Sequence, residues 1–175
     1  MKILLIGPQG SGKSTQAKLL SEFLKIPHIN TGEIFRSIAS QDTEEGKRVK
    51  AILDEGKLIN DQTVSGLAKE RLSEADCQNG FILDGYPRNM EQVRLFAPGF
   101  DQIFYLKLSD KEIMERLLKR GREDDTVESI QTRLNLYREQ TQPLLDYYKD
   151  RGILTEINGE QGINEVQTNI RNALS

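Results

Sequence analysis

Apolar residues in this chain fall into short unbroken runs separated by longer stretches of helical period. Lys2–Ile6, Gly80–Leu83, Ile103–Leu108 and Ile153–Ile157 are four such runs, each the length of a strand buried on both faces. A shorter strand is expected at His28-Ile29, beside Pro27. Between the runs, Ala17, Leu20 and Leu24 fall on one helical face, and Ile113, Leu117 and Leu118 on another. A long helical stripe passes through Val127, Ile130, Leu134 and Tyr137 and continues to Leu144 and Tyr148, with Pro143 expected to kink or interrupt it. Asn164–Ala173 reads as a closing helix. Thr31–Asn60 has helical composition and charge but no strand signal, which predicts an inserted helical subdomain. Strands alternating with helices predict an α/β fold around a parallel sheet, although the pattern does not give the strand order.

Composition narrows the class. The 175 residues suffice for one domain with a sizeable core, and no repeat, low-complexity segment or linker divides them. A hydrophobic content of 37% with 29% charged residues is that of a soluble globular protein. No run nears the roughly 18 apolar residues of a membrane span, and the first run is too short for a signal sequence. The single cysteine, Cys77, excludes an intramolecular disulfide and fits a reducing cytoplasm. One histidine and one cysteine cannot build a Cys/His zinc site, so no structural zinc is expected. A net charge of −3 argues against a general nucleic-acid partner. An anionic ligand must be met by locally clustered cations.

Gly7-Pro8-Gln9-Gly10-Ser11-Gly12-Lys13-Ser14 supplies the first cluster. It is a full G-x-x-x-x-G-K-[ST] match between a buried strand and a helical pattern, the context a phosphate loop requires. Its glycines let successive backbone N–H groups converge on phosphate oxygens, and the helix start adds partial positive charge. Lys13 is placed to reach the β and γ phosphates and Ser14 to ligate Mg²⁺. The bland alternative, a Gly-rich turn with an exposed lysine, does not account for motif, position and flanks together. The second strong run ends in Leu83-Asp84, placing Asp84 to hold Mg²⁺ through water, whereas an ordinary Asp-Gly turn is the plainer reading. Gly85-Tyr86-Pro87-Arg88 follows, with no adjacent glutamate to activate a water.

Four segments in order resemble the adenylate kinase family. They are the phosphate loop with its trailing Thr15-Gln16, Thr31-Gly32-Glu33-Ile34-Phe35-Arg36, Gly80 to Arg88 with Gln92, and the basic run Arg116 to Asp125 with Arg133. The resemblance spans nearly the whole chain. It implies a three-layer phosphate-loop fold with a five-stranded parallel sheet, a helical monophosphate-binding insertion at 30–59 and a short lid at 120–126. It implies ATP and AMP as substrates, Mg²⁺ with the ATP, and transfer of a phosphoryl group to give two ADP. By the same resemblance Gly10, Ser11, Gly12, Lys13, Ser14, Thr15, Arg116, Arg120 and Gln161 contact ATP. Thr31, Arg36, Lys57, Leu58, Ile59, Gly85, Arg88, Gln92, Arg122 and Arg133 surround AMP. Lys13, Arg88, Arg120, Arg122 and Arg133 serve the transferring group.

Elementary chemistry agrees in part. Arg116 and Arg120, four apart, project from one helical face, a like-charge pair that an anion would relieve. The alternative is an ion pair from Arg116 to Glu112. Arg122 and Arg133, taken alone, read as solvated charges. Asp124 and Asp125 are placed to order Arg122 or Arg133, or form a plain acidic loop. Transfer to a phosphate needs no general base, since a phosphate monoester has its second pKa near ~6. Several departures from the family pattern stand out: Ser14 for a common Gly, a minimal lid, Asn60 for a common Pro, and Gln161 for Gly. Asn89 after Arg88 resembles the UMP/CMP kinases and makes them the runner-up. A nucleotide-hydrolysing switch protein is the reading from another class. A monomer is the default expectation.

Overall fold

The computed structural model describes residues 1–54, 59–121 and 126–174. Five strands form one sheet: β1 Lys2–Ile6, β2 His28–Asn30, β3 Phe81–Asp84, β4 Gln102–Lys107 and β5 Leu154–Asn158. Their order is β2-β3-β1-β4-β5, and every neighbouring pair is parallel. The described residues also contain α1 Lys13–Leu24, α2 Thr31–Ala39, α3 Glu44–Asp54, α4 Asp61–Leu72, α5 Met90–Leu95, α6 Asp110–Arg120, α7 Val127–Lys149 and α8 Ile163–Asn172. All five expected strands form, the weak one at His28 included.

The unbroken apolar runs arise because both faces of the sheet are covered. Ile3 and Leu5 of β1, Ile82 of β3, and Phe104 and Leu106 of β4 point to one side, where Ala17 and Leu20 of α1 meet Val166 and Ile170 of α8. Leu4 and Ile6, Phe81 and Leu83, and Ile103 point to the other, against Val64 and Ala68 of α4 and Leu144, Leu145 and Tyr148 of α7. Side chains alternating across each strand therefore build two cores at once. A third cluster joins Ile113 and Leu117 of α6 to Ile130 and Leu134 of α7.

Helix starts are marked by short polar side chains. Asn30, Asn60 and Asn89 each accept a hydrogen bond from the backbone N–H three residues on, at 3.0, 2.8 and 2.8 Å. Ser109 and Thr126 do the same for α6 and α7. Each such cap is worth about 1 kcal/mol. Asn60 thus starts α4, a contribution proline could not make through its side chain.

Three expectations are corrected. Leu118 is 44% exposed, because it lies one residue, a rotation of about 100°, past the Ile113–Leu117 stripe. Val127 is 58% exposed, being the first residue of α7, ahead of the face that meets α6. Pro143 lies within α7 without interrupting it. Proline removes one helical N–H, and both Pro143 and Glu139, whose carbonyl loses that donor, are exposed, so water can satisfy it. No helix among the described residues is long and apolar enough to cross a membrane.

Candidate active site

The phosphate loop leaves the C-terminal end of β1, the central strand, and runs into α1. Gly10 and Gly12 adopt φ of 80° and 87°, the left-handed region that glycine reaches without strain. A β-carbon on Gly10 would also stand 3.0 Å from the Leu117 side chain, so α6 packs directly on the loop. Ser11 is buried at its centre, while Ser14 and Thr15 open α1 at the exposed mouth. Lys13 folds back across the loop, donating to the carbonyls of Gly7 at 2.7 Å and Pro8 at 2.8 Å. Burial lowers its pKa; the charge of Asp84 opposes that effect and Arg88 adds to it.

Asp84 ends β3, paired in register with Leu5 of β1 and Asn30 of β2. It is 2% exposed, and its Oδ2 accepts from Ser14 Oγ at 2.6 Å and Asn30 Nδ2 at 2.8 Å. His28 Nε2 stands 3.7 Å from the same oxygen. Burial alone would push the carboxyl up, but His28, the Lys13 charge and the Ser14 hydroxyl together hold it below the usual carboxylate range. Asp84 is therefore ionised at neutral pH. Sequence reasoning missed Asn30, which also donates to Ser14 Oγ at 3.1 Å. The signal was there: Asn30 three residues before Glu33 is a helix-start pattern, which puts the side chain at the end of β2.

Donor set and geometry suit Mg²⁺ beside nucleotide phosphates. Ser14 Oγ gives its proton to Asp84 and accepts from Asn30, which leaves one lone pair for a cation. Among the described residues no group of three or more His, Cys, Asp or Glu could hold a metal alone, so the phosphates would complete the coordination.

A second group of side chains lies beyond Asp84. Gly85, at φ 88°, lets the chain turn with its α-carbon against α2: a β-carbon there would stand 2.9 Å from Thr31 Oγ1 and 3.5 Å from Arg88 Nη2. Thr31 is buried at the start of α2. One turn on, the Arg36 guanidinium curls back to within 3.3 Å of where a Gly32 β-carbon would be. Arg88 donates Nε–H to the Gly85 carbonyl at 2.9 Å. Desolvation in the cleft lowers its pKa, Asp84 opposes this, and Arg36 pushes it further down. Two guanidiniums thus repel each other beside one buried carboxylate, an arrangement an anion between them would relieve.

Gln92, on α5, is buried and fully directed. Its Oε1 accepts from the Arg88 backbone N–H at 2.7 Å, and its Nε2 donates to Asp61 Oδ1 at 2.8 Å. Asn89 Nδ2 lies 3.1 and 3.3 Å from the two Asp61 oxygens. Asp61, the first residue of α4, had no sequence signal. Beneath this network the Tyr86 hydroxyl reaches Ser65 Oγ at 3.1 Å and the carbonyls of Gln92 at 2.9 Å and Phe96 at 2.6 Å. Ile59, the residue before Asn60, is half-buried and packs on the core face that carries Phe35 and Val64.

The remaining arginines lie on α6 and α7. Arg133 Nη1 donates to Gln9 Oε1 of the phosphate loop at 2.9 Å, which brings α7 to the loop tip. Arg116 Nε donates to Glu112 Oε1 at 2.6 Å, the intrahelical pair that competes with an anion-binding role. Arg120 follows one turn on in α6. Gln161 lies in the turn before α8, where its Oε1 accepts from Asn169 at 2.8 Å. Gln16 Nε2 on α1 donates to the Ile163 carbonyl at 3.0 Å, tying the loop helix to that turn. Lys57, Leu58, Arg122, Asp124 and Asp125 lie outside the described residues. Cys77 is buried, takes a contact from Arg71 Nη1 at 3.2 Å, and has its thiol pKa raised chiefly by burial, the mark of an inert thiol.

Comparison with known proteins gives one answer. Residues 5–153 match the adenylate kinase family. The chain is 43% identical to an adenylate kinase of Corynebacterium urealyticum, over 95% of this chain and 94% of that protein. It is 42% identical to adenylate kinase 1 of a Nostoc species, over 99% of this chain and 98% of the relative. A Clostridium botulinum adenylate kinase is 39% identical, again over 99% and 98%. With the family's motifs assembled around one phosphate loop and its sequence matched nearly end to end, the chain belongs to the adenylate kinase family and is a phosphotransferase.

Proposed function

We propose that the cleft carries a phosphoryl group from ATP to AMP, giving two ADP, with Gly10 to Thr15 holding the donor and Thr31, Arg36, Gly85, Arg88 and Gln92 the acceptor. The observation that supports this most is the placement of the buried Asp84 carboxylate between the Lys13 and Arg88 charges, with Arg36 beside Arg88. It provides a cation for the donor's terminal phosphates and a guanidinium pair for a second phosphate, with one ionised carboxylate between.

The chain's residues have a positioning and charge-neutralising task. Backbone N–H groups of the loop and the start of α1 face the donor phosphates, and Lys13 follows negative charge as it moves from the bridging oxygen to the transferred group. Arg88 and Arg36 hold the acceptor phosphate bidentately and keep its nucleophilic oxygen aligned. That oxygen is largely anionic at pH 7, so no residue need remove a proton. Ser14 and Asp84 would hold Mg²⁺, directly and through water, and when bound the ion neutralises charge on the donor phosphates. Arg120 and Arg133 serve the transferring group in this reading, Arg122 joins them by resemblance alone, and Arg116 and Gln161 meet ATP. Ile59 belongs to the acceptor site in this reading, with Lys57 and Leu58 assigned to it by resemblance alone. By the same resemblance, hinged closure of the acceptor and lid segments over the two nucleotides, as in adenylate kinases generally, would exclude water that could otherwise hydrolyse ATP.

The Asn89 signal for a UMP/CMP kinase has a structural explanation, because Asn89 caps α5 and grips Asp61. Mg²⁺-dependent ATP consumption against AMP, CMP, UMP, GMP and no acceptor tests the proposal. ADP formation that requires AMP supports it. Preference for CMP or UMP moves the acceptor assignment, and ATP loss without an acceptor overturns the transfer reading in favour of hydrolysis.

A further inference from the structure

We infer that Asp61 is a positioning residue that sets the acceptor-base preference of the site by fixing which way the Gln92 amide points. The inference rests on the proposal that Gln92 reads the acceptor base, and extends it to a residue outside the cleft's phosphate-binding set.

A glutamine amide is close to symmetrical in shape, so a pocket that does not hold it allows a flip that exchanges donor and acceptor. Two partners of opposite character prevent that here. The Arg88 backbone N–H can only donate, so the atom 2.7 Å from it must be the Gln92 oxygen. Asp61, as a carboxylate, can only accept, so the atom 2.8 Å from it must be the Gln92 nitrogen. A flipped amide would set oxygen against carboxylate and N–H₂ against N–H, two repulsive contacts around a buried side chain. Asp61 is itself held: Asn89 Nδ2 reaches both its oxygens, while the Asn89 Oδ1 caps α5 on the Gln92 backbone N–H at 2.8 Å. The carboxylate, the cap and the amide form one closed network joining the start of α4 to the start of α5.

In this fixed state Gln92 has one N–H and one oxygen lone pair left over. That remainder has a polarity. Adenine offers a ring-nitrogen acceptor beside an exocyclic N–H donor, and the hypoxanthine base of IMP reverses both, with a ring N–H beside a carbonyl. An amide locked one way matches one of these and leaves the other with like groups opposed, while an amide free to turn serves either. Asp61 therefore converts an adaptable side chain into a discriminating one.

The test uses the full-length enzyme and compares kcat/KM for AMP with that for IMP as acceptors. Asp61→Asn is nearly isosteric but presents a donor as readily as an acceptor; Asp61→Ala removes the partner outright, and thermal melts of both establish that the fold is retained. The expected result is a fall of about tenfold in the AMP/IMP ratio in each variant. It should arise mainly from a higher KM for AMP with kcat changed less, a split that a general loss of structure would not give. Gln92→Ala should abolish the preference. If Gln92→Ala abolishes it and both Asp61 variants retain the wild-type ratio, the amide is oriented without Asp61 and the inference is overturned. If Gln92→Ala leaves the ratio unchanged, base reading by Gln92 fails, and the role of Asp61 fails with it.

Discussion

The proposed donor and acceptor halves of the cleft are built by different means. The donor half is centred on one contiguous loop, Gly7 to Ser14, whose binding groups are backbone N–H and a lysine that bonds to carbonyls of the same loop. The acceptor half draws Thr31 and Arg36 from α2, Asp61 from α4, Arg88 from the turn after β3 and Gln92 from α5. A backbone cradle recognises phosphate and is indifferent to the group attached to it, whereas side chains gathered from separate elements can read a base. In the proposed reading the local half grips the donor phosphates, while the choice of acceptor base falls to the assembled half.

That division can be broken by substitution. Lys13→Ala should lower kcat by about 10³-fold, since a cation that tracks the migrating charge acts in the transition state. AMP affinity measured by equilibrium dialysis should hardly move, and a matching loss of AMP binding would erase the distinction between the halves. Arg88→Ala should lower kcat/KM for AMP by about 10²-fold, with ATP binding to the variant retained in a fluorescent-nucleotide titration. Asp84 lies on the boundary. Its folded pKa is below the unfolded value of about 3.9, so its stabilisation is fully present above that value and disappears as pH falls through the folded one. Urea unfolding from about pH 5 downward should therefore show a steep acid limb that Asp84→Asn flattens; equal slopes in both proteins would assign the limb to other groups. The smallest effect is expected beneath the acceptor half. Tyr86→Phe should cost about 1–2 kcal/mol by urea denaturation, since it strips a donor from the carbonyls of Gln92 and Phe96.

The same contrast explains what was legible in the sequence. The phosphate loop is local, so strand, glycines, lysine and helix could be read in a single pass, and Asp84 followed because a buried run ended on it. The strands were legible because burial on both faces leaves unbroken apolar runs such as Leu4-Leu5-Ile6. Asp61 was invisible, for its meaning comes from Gln92, 31 residues away. Gln9 was visible only as a loop residue, since its partner Arg133 is 124 positions on. Leu118 and Val127 misled because apolar character marks a helix face only to within a residue or so, and Pro143 because the cost of a missing N–H depends on whether water reaches the orphaned carbonyl. The resemblance carried the acceptor residues where local physics had little to say about them.

The position of β1 has a consequence in time. Its neighbours are β3 and β4, so Lys2 lies opposite Phe81, and Ile3 lies between Ile82 and Gln102. On the ribosome this strand emerges before both neighbours, and the second of them is complete only at Lys107, about a hundred residues later. At roughly 5–20 residues per second, Leu4, Leu5 and Ile6 wait about 5–20 s without a full sheet around them. A strand flanked on both sides in the finished enzyme thus stays open on at least one side until β4 is made, and the phosphate loop hanging from it waits with it.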